Sequence, residues 1–322
     1  MRLRIKRCPC STALILSAAR GVLLVSLALT ASAGAEPLHD SIDQAARSVE
    51  ARIVQAQTTQ DTLSPPIVSP AEAPSGTETL RVQWVKVAAP GLGVMPAAVA
   101  RPAGAGPFPV IILFHGTHGF AHEYVRLALD LADGGVLAVA TCWFKGSAGV
   151  GARFVTPIEC PEAPPIPGGS SPQALQTLQA LVEATRTLPD ARANRIGLFG
   201  HSRGASPIMS YILRAADVKA AVLNSAGYPA SLSAEVNAPL LILHGTADSP
   251  ADGGVEVTNI QRARDFEAKL RAAAKPVEAT YYEGGRHNDI FTNPTQYRDE
   301  VQQILKFLRR HLEDGLSASP PR

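Results

Sequence analysis

The sequence predicts an α/β fold with a mostly parallel central sheet, helices on both faces and an N-terminal β-hairpin. From about residue 79, short apolar runs typical of strands alternate with longer segments of helical periodicity. The run Pro109–Phe114 is continuously apolar, which is typical of a strand covered on both faces. Strands that alternate with helices build a parallel sheet, because each helix carries the chain back across it.

The elements of this domain are predicted in chain order. Strands 80–88 and 94–101, with glycines between them, form the hairpin. Further strands are expected at 109–114, 135–141, 195–199, 218–223, 239–243 and 277–282. Helices are expected at 121–132, 172–188, 203–215, 256–273 and 295–312.

Composition limits the classes of function. The 322 residues are 46% hydrophobic and 18% charged, which is typical of a globular protein with a substantial core. The formal net charge is +2, but residues 1–35 hold five basic residues and no acidic one, and removing them leaves 25 basic against 28 acidic residues. This balance argues against a nucleic-acid-binding surface, which needs clustered basic residues.

The first 35 residues are predicted to be an export signal. Basic residues within 2–7 precede an apolar stretch at 21–29, and A-x-A cleavage sites follow at 31–33 and 33–35. Arg20 interrupts the apolar run and leaves it shorter than the roughly 20 residues that span a bilayer. We therefore expect cleavage, a periplasmic or secreted protein and no stable membrane span; an uncleaved anchor is the alternative.

The segments on either side of the α/β domain carry no chemistry. Residues 36–78 are predicted to be a short helix, over 40–57, followed by a proline-rich linker over 58–78. The α/β domain is expected over 79–314, and residues 315–322 are expected to be a disordered tail.

Two cysteines, Cys142 and Cys160, remain after the signal is removed. They flank a stretch rich in glycine and proline, and an exported protein meets an oxidising compartment in which disulfides persist. The sequence predicts a disulfide, which in the chain-entropy model contributes about 3 kcal/mol for a loop of this size. Two unpaired thiols packed as small apolar groups are the alternative.

A candidate nucleophile, Ser202, lies in the G-x-S-x-G motif at residues 200–204. The motif stands between a predicted strand and a predicted helix, where a serine on the sharp turn is presented at the end of the sheet. A serine hydroxyl needs a base to take its proton and an acid to orient that base. The sequence therefore has to supply a histidine and a carboxylate at the same edge.

Asp248 and His287 are the predicted partners of Ser202. Asp248 follows the strand at 239–243, and His287 lies in the glycine-bearing loop after the strand at 277–282. The order serine, aspartate, histidine, with each residue beyond a successive strand end, places all three at one edge of the sheet. Asp252 is a nearby alternative for the acid.

An oxyanion formed at this edge needs hydrogen-bond donors. The backbone N–H of Arg203, directly after the serine, is one candidate. The second is expected from the loop HGTHG at 115–119, where the N–H of Thr117 is preferred and that of His118 is the alternative.

The motifs FHGTHG, GHSRG, HGTAD and GGRHND together resemble the α/β-hydrolase superfamily, and within it the dienelactone-hydrolase-like branch, over about residues 80–312. The resemblance implies a serine ester hydrolase that forms an acyl-enzyme intermediate and uses no cofactor. Dienelactone hydrolases use a cysteine nucleophile, whereas this chain has Ser202, so an ordinary carboxylic ester is the favoured substrate.

Aromatic residues and histidines at this edge are further candidates. Trp143, His118 and Phe120 are predicted to contact the substrate, and Tyr228 lies after a neighbouring strand. The spacing of His115, His118 and His122 could bring imidazoles together, but no carboxylate or cysteine pattern completes a metal site, and we expect none.

Other functions stay open from the sequence alone. The same three residues would serve a peptidase or amidase, or a lactone or thioester hydrolase, and a non-catalytic binding protein could keep the fold. The expected partner is a small-molecule or polymeric ester. Pocket shape decides acyl and alcohol specificity, and one sequence does not define that shape.

Overall fold

The computed structural model describes residues 64–146, 153–249, 254 and 258–313, together with two N-terminal strands, β1 (Leu14–Ala19) and β2 (Val22–Leu27). β1 and β2 pair antiparallel and belong to a separate unit that ends at Leu63. The predicted helix over 40–57, the cleavage sites and the tail over 315–322 lie outside the described residues.

The second unit is built on one nine-stranded sheet, in the spatial order β11-β10-β9-β8-β6-β7-β5-β4-β3. Its strands are β3 (Ile67–Pro70), β4 (Gln83–Ala89), β5 (Gly93–Ala100), β6 (Phe108–Phe114), β7 (Leu137–Thr141), β8 (Ala191–His201), β9 (Ala220–Asn224), β10 (Leu240–Gly245) and β11 (Val277–Tyr282). Strands β6 to β11 are parallel, while β3, β4 and β5 are antiparallel to their neighbours. The carboxyl ends of the six parallel strands therefore lie at one edge.

Helices cover both faces of the sheet, as the sequence predicts. They are α1 (His122–Asp133), α2 (Pro172–Arg186), α3 (Ala205–Ile212), α4 (Ile260–Ala272), α5 (Asp289–Thr292) and α6 (Pro294–Leu312). Apolar residues of α2, α3 and α4 pack in one core, and those of α1 and α6 pack in the other. Successive residues of β6 alternate between the two cores: Ile112 faces the first, and Ile111 and Leu113 face the second. None of the described helices is both long and apolar enough to cross a membrane.

The predicted linker over 58–78 contains strand β3, so the sheet begins earlier than residue 79. Among the described strands, β3 pairs with β4 alone, and Ile67 within it is 68% exposed. An edge strand with a proline at its end and little burial has no alternating apolar pattern to reveal it. Residues 67–70, within the predicted linker, form this edge strand.

Cys142 and Cys160, predicted to bond, lie at disulfide distance. Both are buried. Cys142 directly follows β7, and Cys160 lies in the segment that leads to α2. The bond attaches this segment to the carboxyl edge of the sheet.

Candidate active site

Ser202 lies on a sharp turn between β8 and α3. Its backbone has a φ of +52°, the left-handed region that residues with a Cβ rarely adopt. A Cβ at Gly200 would come 2.5 Å from the backbone nitrogen of Ala205, and one at Gly204 would come 2.2 Å from the carbonyl oxygen of Phe114. The two glycines of the motif are therefore required by the close approach of the turn, α3 and β6.

The structure brings Ser202, His287 and Asp248 together in one hydrogen-bonded chain. The Oγ of Ser202 lies 2.9 Å from Nε2 of His287, and Nδ1 of His287 lies 2.7 Å from Oδ2 of Asp248. His287 and Asp248 are buried, and the Oγ of Ser225 donates to the backbone carbonyl of His287 at 2.9 Å. The alternative acid, Asp252, lies outside the described residues.

A second histidine, His244, contacts the same carboxylate. Its Nε2 lies 3.0 Å from Oδ2 of Asp248, and the side chains of both residues are almost completely buried. Burial alone would raise the pKa of Asp248, but the hydrogen bonds from His244 and His287 outweigh it and lower the pKa below its usual value. An ionised Asp248 accepts from both rings, so Nδ1 of His287 is a donor, and in the neutral ring Nε2 is the nitrogen that accepts from Ser202.

Sequence reasoning missed His244, although a signal was present. His244 and Asp248 stand four residues apart in the motif HGTAD. The strand predicted at 239–243 stops one residue before His244, and no role is predicted for this histidine, whereas the structure places it within β10. The short spacing in the motif is the signal, because it places the His244 ring within hydrogen-bond distance of the Asp248 carboxylate.

The two predicted oxyanion residues, Thr117 and Arg203, both line the pocket beside Ser202. The Nε of Arg203 donates to Oγ1 of Thr117 at 3.1 Å, and its Nη1 donates to the carbonyl oxygen of Pro167 at 2.9 Å. The side chain of Arg203 thus connects the loop after β6 to the segment before α2.

Tyr124 of α1 is hydrogen-bonded to the loop after β6. The hydroxyl of Tyr124 accepts from the backbone N–H of Gly116 at 2.9 Å and lies 3.0 Å from Nε2 of His118. Burial raises the pKa of Tyr124 well above its usual value, so the hydroxyl stays protonated and donates a hydrogen bond to Nε2 of His118. Burial likewise lowers the pKa of His118, which is neutral and can accept.

Trp143, Phe120 and His118, which the sequence predicts to contact the substrate, are not among the residues that line the pocket beside Ser202. Trp143 is fully buried and donates its Nε1–H to the carbonyl oxygen of His115 at 2.9 Å. Phe120 packs in the core against Trp84, and His118 stacks on Tyr124. Position after a strand end indicates the correct edge of the sheet but not which side of the loop a side chain occupies.

The pocket beside Ser202 has a volume of about 370 Å³, and its wall mixes polar and apolar groups. Its lining comprises Thr117, Gly169, Ser170, Ser202, Arg203, Ser206, Ala226, Gly227, Tyr228, Pro229, Thr258 and Arg262. The buried Nε of Arg262 has no hydrogen-bond partner among the described residues. Tyr228 was a sequence candidate, whereas Ser206 and Arg262 lie on helices and carry no motif.

The three histidines weighed as metal ligands have other surroundings. His115 is buried among aromatic rings, which lowers its pKa to about 4, and His118 is bonded to Tyr124. His122 begins α1. Within the described parts of the chain, no three His, Cys, Asp or Glu side chains are grouped so as to hold a metal ion.

A family model described as the dienelactone hydrolase family matches residues 95–310. The chain belongs to the dienelactone hydrolase family. A protein of Methylorubrum extorquens that carries the name carboxymethylenebutenolidase is 27% identical over 223 residues, which are 66% of this chain and 73% of that protein. As a member of the dienelactone hydrolase family, the protein is a hydrolase of the α/β-hydrolase fold.

Solved structures share this fold at low sequence identity. A Klebsiella pneumoniae structure described as a dienelactone hydrolase has a TM-score of 0.52 and 21% identity, and the match covers 77% of this chain and all of that one. An esterase from Pyrococcus furiosus has a TM-score of 0.55 and 14% identity, with 78% of this chain and all of that one covered. At such identities, the likeness shows the dienelactone hydrolase fold and not the substrate.

Proposed function

We propose that this family member is a serine hydrolase that cleaves carboxylic esters through an acyl-enzyme intermediate. The observation that carries the proposal is the continuous chain from Ser202 Oγ to His287 Nε2 and from His287 Nδ1 to Asp248 Oδ2, with distances of 2.9 and 2.7 Å. A hydroxyl within hydrogen-bond distance of an unprotonated imidazole nitrogen, whose other nitrogen is held by a carboxylate, is the arrangement that activates a serine.

In the first half-reaction, the Oγ of Ser202 attacks the acyl carbon while its proton passes to Nε2 of His287. The N–H groups of Thr117 and Arg203 would stabilise the oxyanion, and their residues line the pocket beside Ser202. His287 then gives the proton to the leaving alcohol, which departs as the bond to the acyl carbon breaks.

In the second half-reaction, water attacks the acyl-enzyme and transfers a proton to His287. The ester bond to Ser202 breaks, the carboxylic acid leaves, and the proton returns to Oγ. Asp248 stays ionised throughout and stabilises the imidazolium, a role that its two histidine donors and its lowered pKa support.

We also propose that the protein works after export, in the periplasm or outside the cell. The bond between the buried Cys142 and Cys160 supports this proposal, because disulfides persist in oxidising compartments. The basic and apolar N-terminal segment of the sequence is the feature that would direct export.

The proposal is tested with purified wild type, Ser202→Ala and the control Ser206→Ala, which removes a second pocket serine outside the hydrogen-bonded chain. The substrates are p-nitrophenyl acetate, butyrate and octanoate, a lactone, a thioester and a p-nitroanilide amide. We expect ester hydrolysis that falls about 10³-fold or more in Ser202→Ala and about tenfold or less in the control.

Labelling with a fluorophosphonate gives a readout that does not depend on the substrate. We expect labelling of wild type and Ser206→Ala and none of Ser202→Ala. A folded wild type that neither hydrolyses any substrate nor becomes labelled would favour a binding protein on this fold. Hydrolysis of the amide, the lactone or the thioester faster than the esters would replace the ester assignment with that class.

A further inference from the structure

A buried row of polar side chains runs from α6 to the two loops that carry Ser202 and His287. Glu300 is completely buried, and its Oε2 and Oε1 lie 2.6 and 2.8 Å from the side-chain amides of Asn224 and Gln296. The other end of the Asn224 amide lies 2.6 Å from Nδ1 of His201. Nε2 of His201 lies 3.2 Å from the amide of Asn288. His201 directly precedes the serine, and Asn288 directly follows the histidine base.

The protonation state of His201 decides which groups in this row donate hydrogen bonds and which accept them. Burial lowers the pKa of His201 to about 3, so the ring is neutral and carries one proton. A neutral ring donates from one nitrogen and accepts at the other, so one neighbouring amide presents its oxygen and the other its NH2. Side-chain amides satisfy either arrangement by exchanging the places of oxygen and nitrogen. The row therefore has two self-consistent states.

The ionisation of Glu300 selects between these states. An ionised carboxylate accepts from the NH2 of Asn224, whose oxygen then accepts from Nδ1–H of His201, and the NH2 of Asn288 donates to Nε2. A protonated carboxyl donates to the oxygen of Asn224, whose NH2 donates to Nδ1, and Nε2–H of His201 donates to Asn288. The amide of Gln296 donates to Glu300 in both states.

We propose that Glu300 is a positioning residue, which acts through Asn224 and His201 to orient Asn288 and the loop that carries His287. The inference rests on the proposed function, because it assigns His287 as the base. A change at Glu300 reaches both catalytic loops, since His201 adjoins Ser202 and Asn288 adjoins His287. Hydrogen-bonded polar rows in a buried site define one geometry only when every member is satisfied.

Both states of Glu300 are accessible near neutral pH. Burial raises the pKa of Glu300 to about 8, and the hydrogen bonds from Gln296 and Asn224 offset only part of this effect. The carboxylates of Asp299 on α6 and Asp289 on α5 raise the pKa further, and Tyr282 of β11 interacts with the same carboxyl. Raising the pH through about 8 is therefore expected to move the proton of His201 from Nε2 to Nδ1.

The first test compares Glu300→Gln with Glu300→Leu. The carboxamide of Glu300→Gln can donate to Asn224 and accept from Gln296, as the protonated carboxyl does, whereas leucine breaks the row. We expect kcat for p-nitrophenyl butyrate at pH 6.5 to stay within about threefold of wild type in Glu300→Gln. In Glu300→Leu we expect kcat to fall about tenfold or more, with KM unchanged, because small displacements of a catalytic group are costly.

Tyr297→Phe is the matched control on the same helix. It removes the partly buried hydrogen bond from Tyr297 to Asp130 on α1, which is not part of the row. We expect this variant to lower the melting temperature but to keep kcat. Equal kcat losses in Tyr297→Phe and Glu300→Leu would show that any weakening of α6 is sufficient, and would overturn the positioning role.

The second test reads the row directly and does not depend on activity. Nitrogen-15 spectra of histidine-labelled protein report which ring nitrogen of His201 carries the proton. We expect that proton to move between pH 6 and pH 10 in wild type and to stay on Nε2 in Glu300→Gln. An unchanged tautomer in wild type, or wild-type kcat in a folded Glu300→Leu, would refute the proposal even if the enzyme is an esterase. A moving tautomer in a protein without hydrolase activity would refute the proposed function and the positioning role for catalysis, and would leave the hydrogen-bonded row itself in place.

Discussion

Substitution of Gly204 by alanine tests whether close packing, and not helix propensity, decides this position of the turn. Gly204 has helical backbone angles, with φ of −63° and ψ of −22°. Alanine in a helix is more favourable than glycine by up to about 1 kcal/mol, so propensity alone predicts a more stable protein. Packing predicts the opposite sign.

The magnitude of the packing cost follows from the neighbours of the added methyl group. It would lie 2.2 Å from the carbonyl oxygen of Phe114, 2.7 Å from the carbonyl carbon of that residue and 2.8 Å from the carbonyl oxygen of His115. All three are backbone atoms of β6 or the oxyanion loop, so a separation of about 1 Å between α3 and β6 is needed. Overpacking of this kind costs about 1–3 kcal/mol or more. We expect a net loss of about 2 kcal/mol, or about 4–8 °C in melting temperature.

Thermal unfolding followed by circular dichroism measures the change, with Gly168→Ala as the control. At Gly168 the nearest atom to an added Cβ is 3.6 Å away, an ordinary contact, so we expect a change within about 0.5 kcal/mol. The displacement in Gly204→Ala also moves the N–H of Arg203, and we expect kcat for p-nitrophenyl butyrate to fall about tenfold or more. A Gly204→Ala protein as stable as wild type would refute the packing argument.

Three further predictions concern the neighbourhood of the site. Replacing Cys142 and Cys160 by serine should lower the free energy of unfolding by about 3 kcal/mol, and dithiothreitol should lower the melting temperature of wild type only. His244→Leu should destabilise the protein at pH 7, because the hydrogen bond from His244 stabilises the ionised form of Asp248. Urea titrations should show the difference in the free energy of unfolding shrinking as the pH falls below 3.8, the usual pKa of Asp248, where the carboxylate becomes protonated. A difference that does not change with pH would contradict this prediction. Arg262→Met should lower kcat/KM for a p-nitrophenyl hemiester with a free carboxylate about tenfold more than it lowers kcat/KM for the neutral counterpart. Equal effects on the two substrates would exclude a contact between the Arg262 guanidinium and the substrate carboxylate.

The architecture could be predicted from the sequence because most of the parallel strands, β6, β7, β9 and β10 above all, are apolar runs, and helices of clear periodicity separate them. The residues now proposed as a triad could be named for a related reason, since each one follows a strand that ends at the same edge. His244 and Glu300 were missed because their sequence neighbours do not distinguish them: His244 follows an apolar run, and Glu300 stands among other charged and polar residues of a long helix. A histidine inside β10 and a glutamate on the buried stripe of α6 look like ordinary members of their elements until contacts show what they bind.

The directions of the side chains around the oxyanion loop could not be predicted from the sequence. Trp143 and Phe120 stand at the predicted edge but are packed beneath the loop, while Arg262, in α4, reaches the pocket without any motif. Strand ends can be located from apolar runs. The direction of a side chain in a loop depends on neighbours distant in sequence, and the pattern holds no information about them.

The double contact of Arg203 limits how this pocket can be redesigned. Its guanidinium donates to both Thr117 and the carbonyl oxygen of Pro167, so one side chain connects the pocket wall before α2 to the residues beside the nucleophile. Directed evolution that lengthens or shifts this wall to admit bulkier substrates would break one of these hydrogen bonds and lower kcat. Libraries that keep the Pro167 carbonyl in place and vary Ser170 or Tyr228 would separate the breadth of substrates accepted from the rate at which they are cleaved.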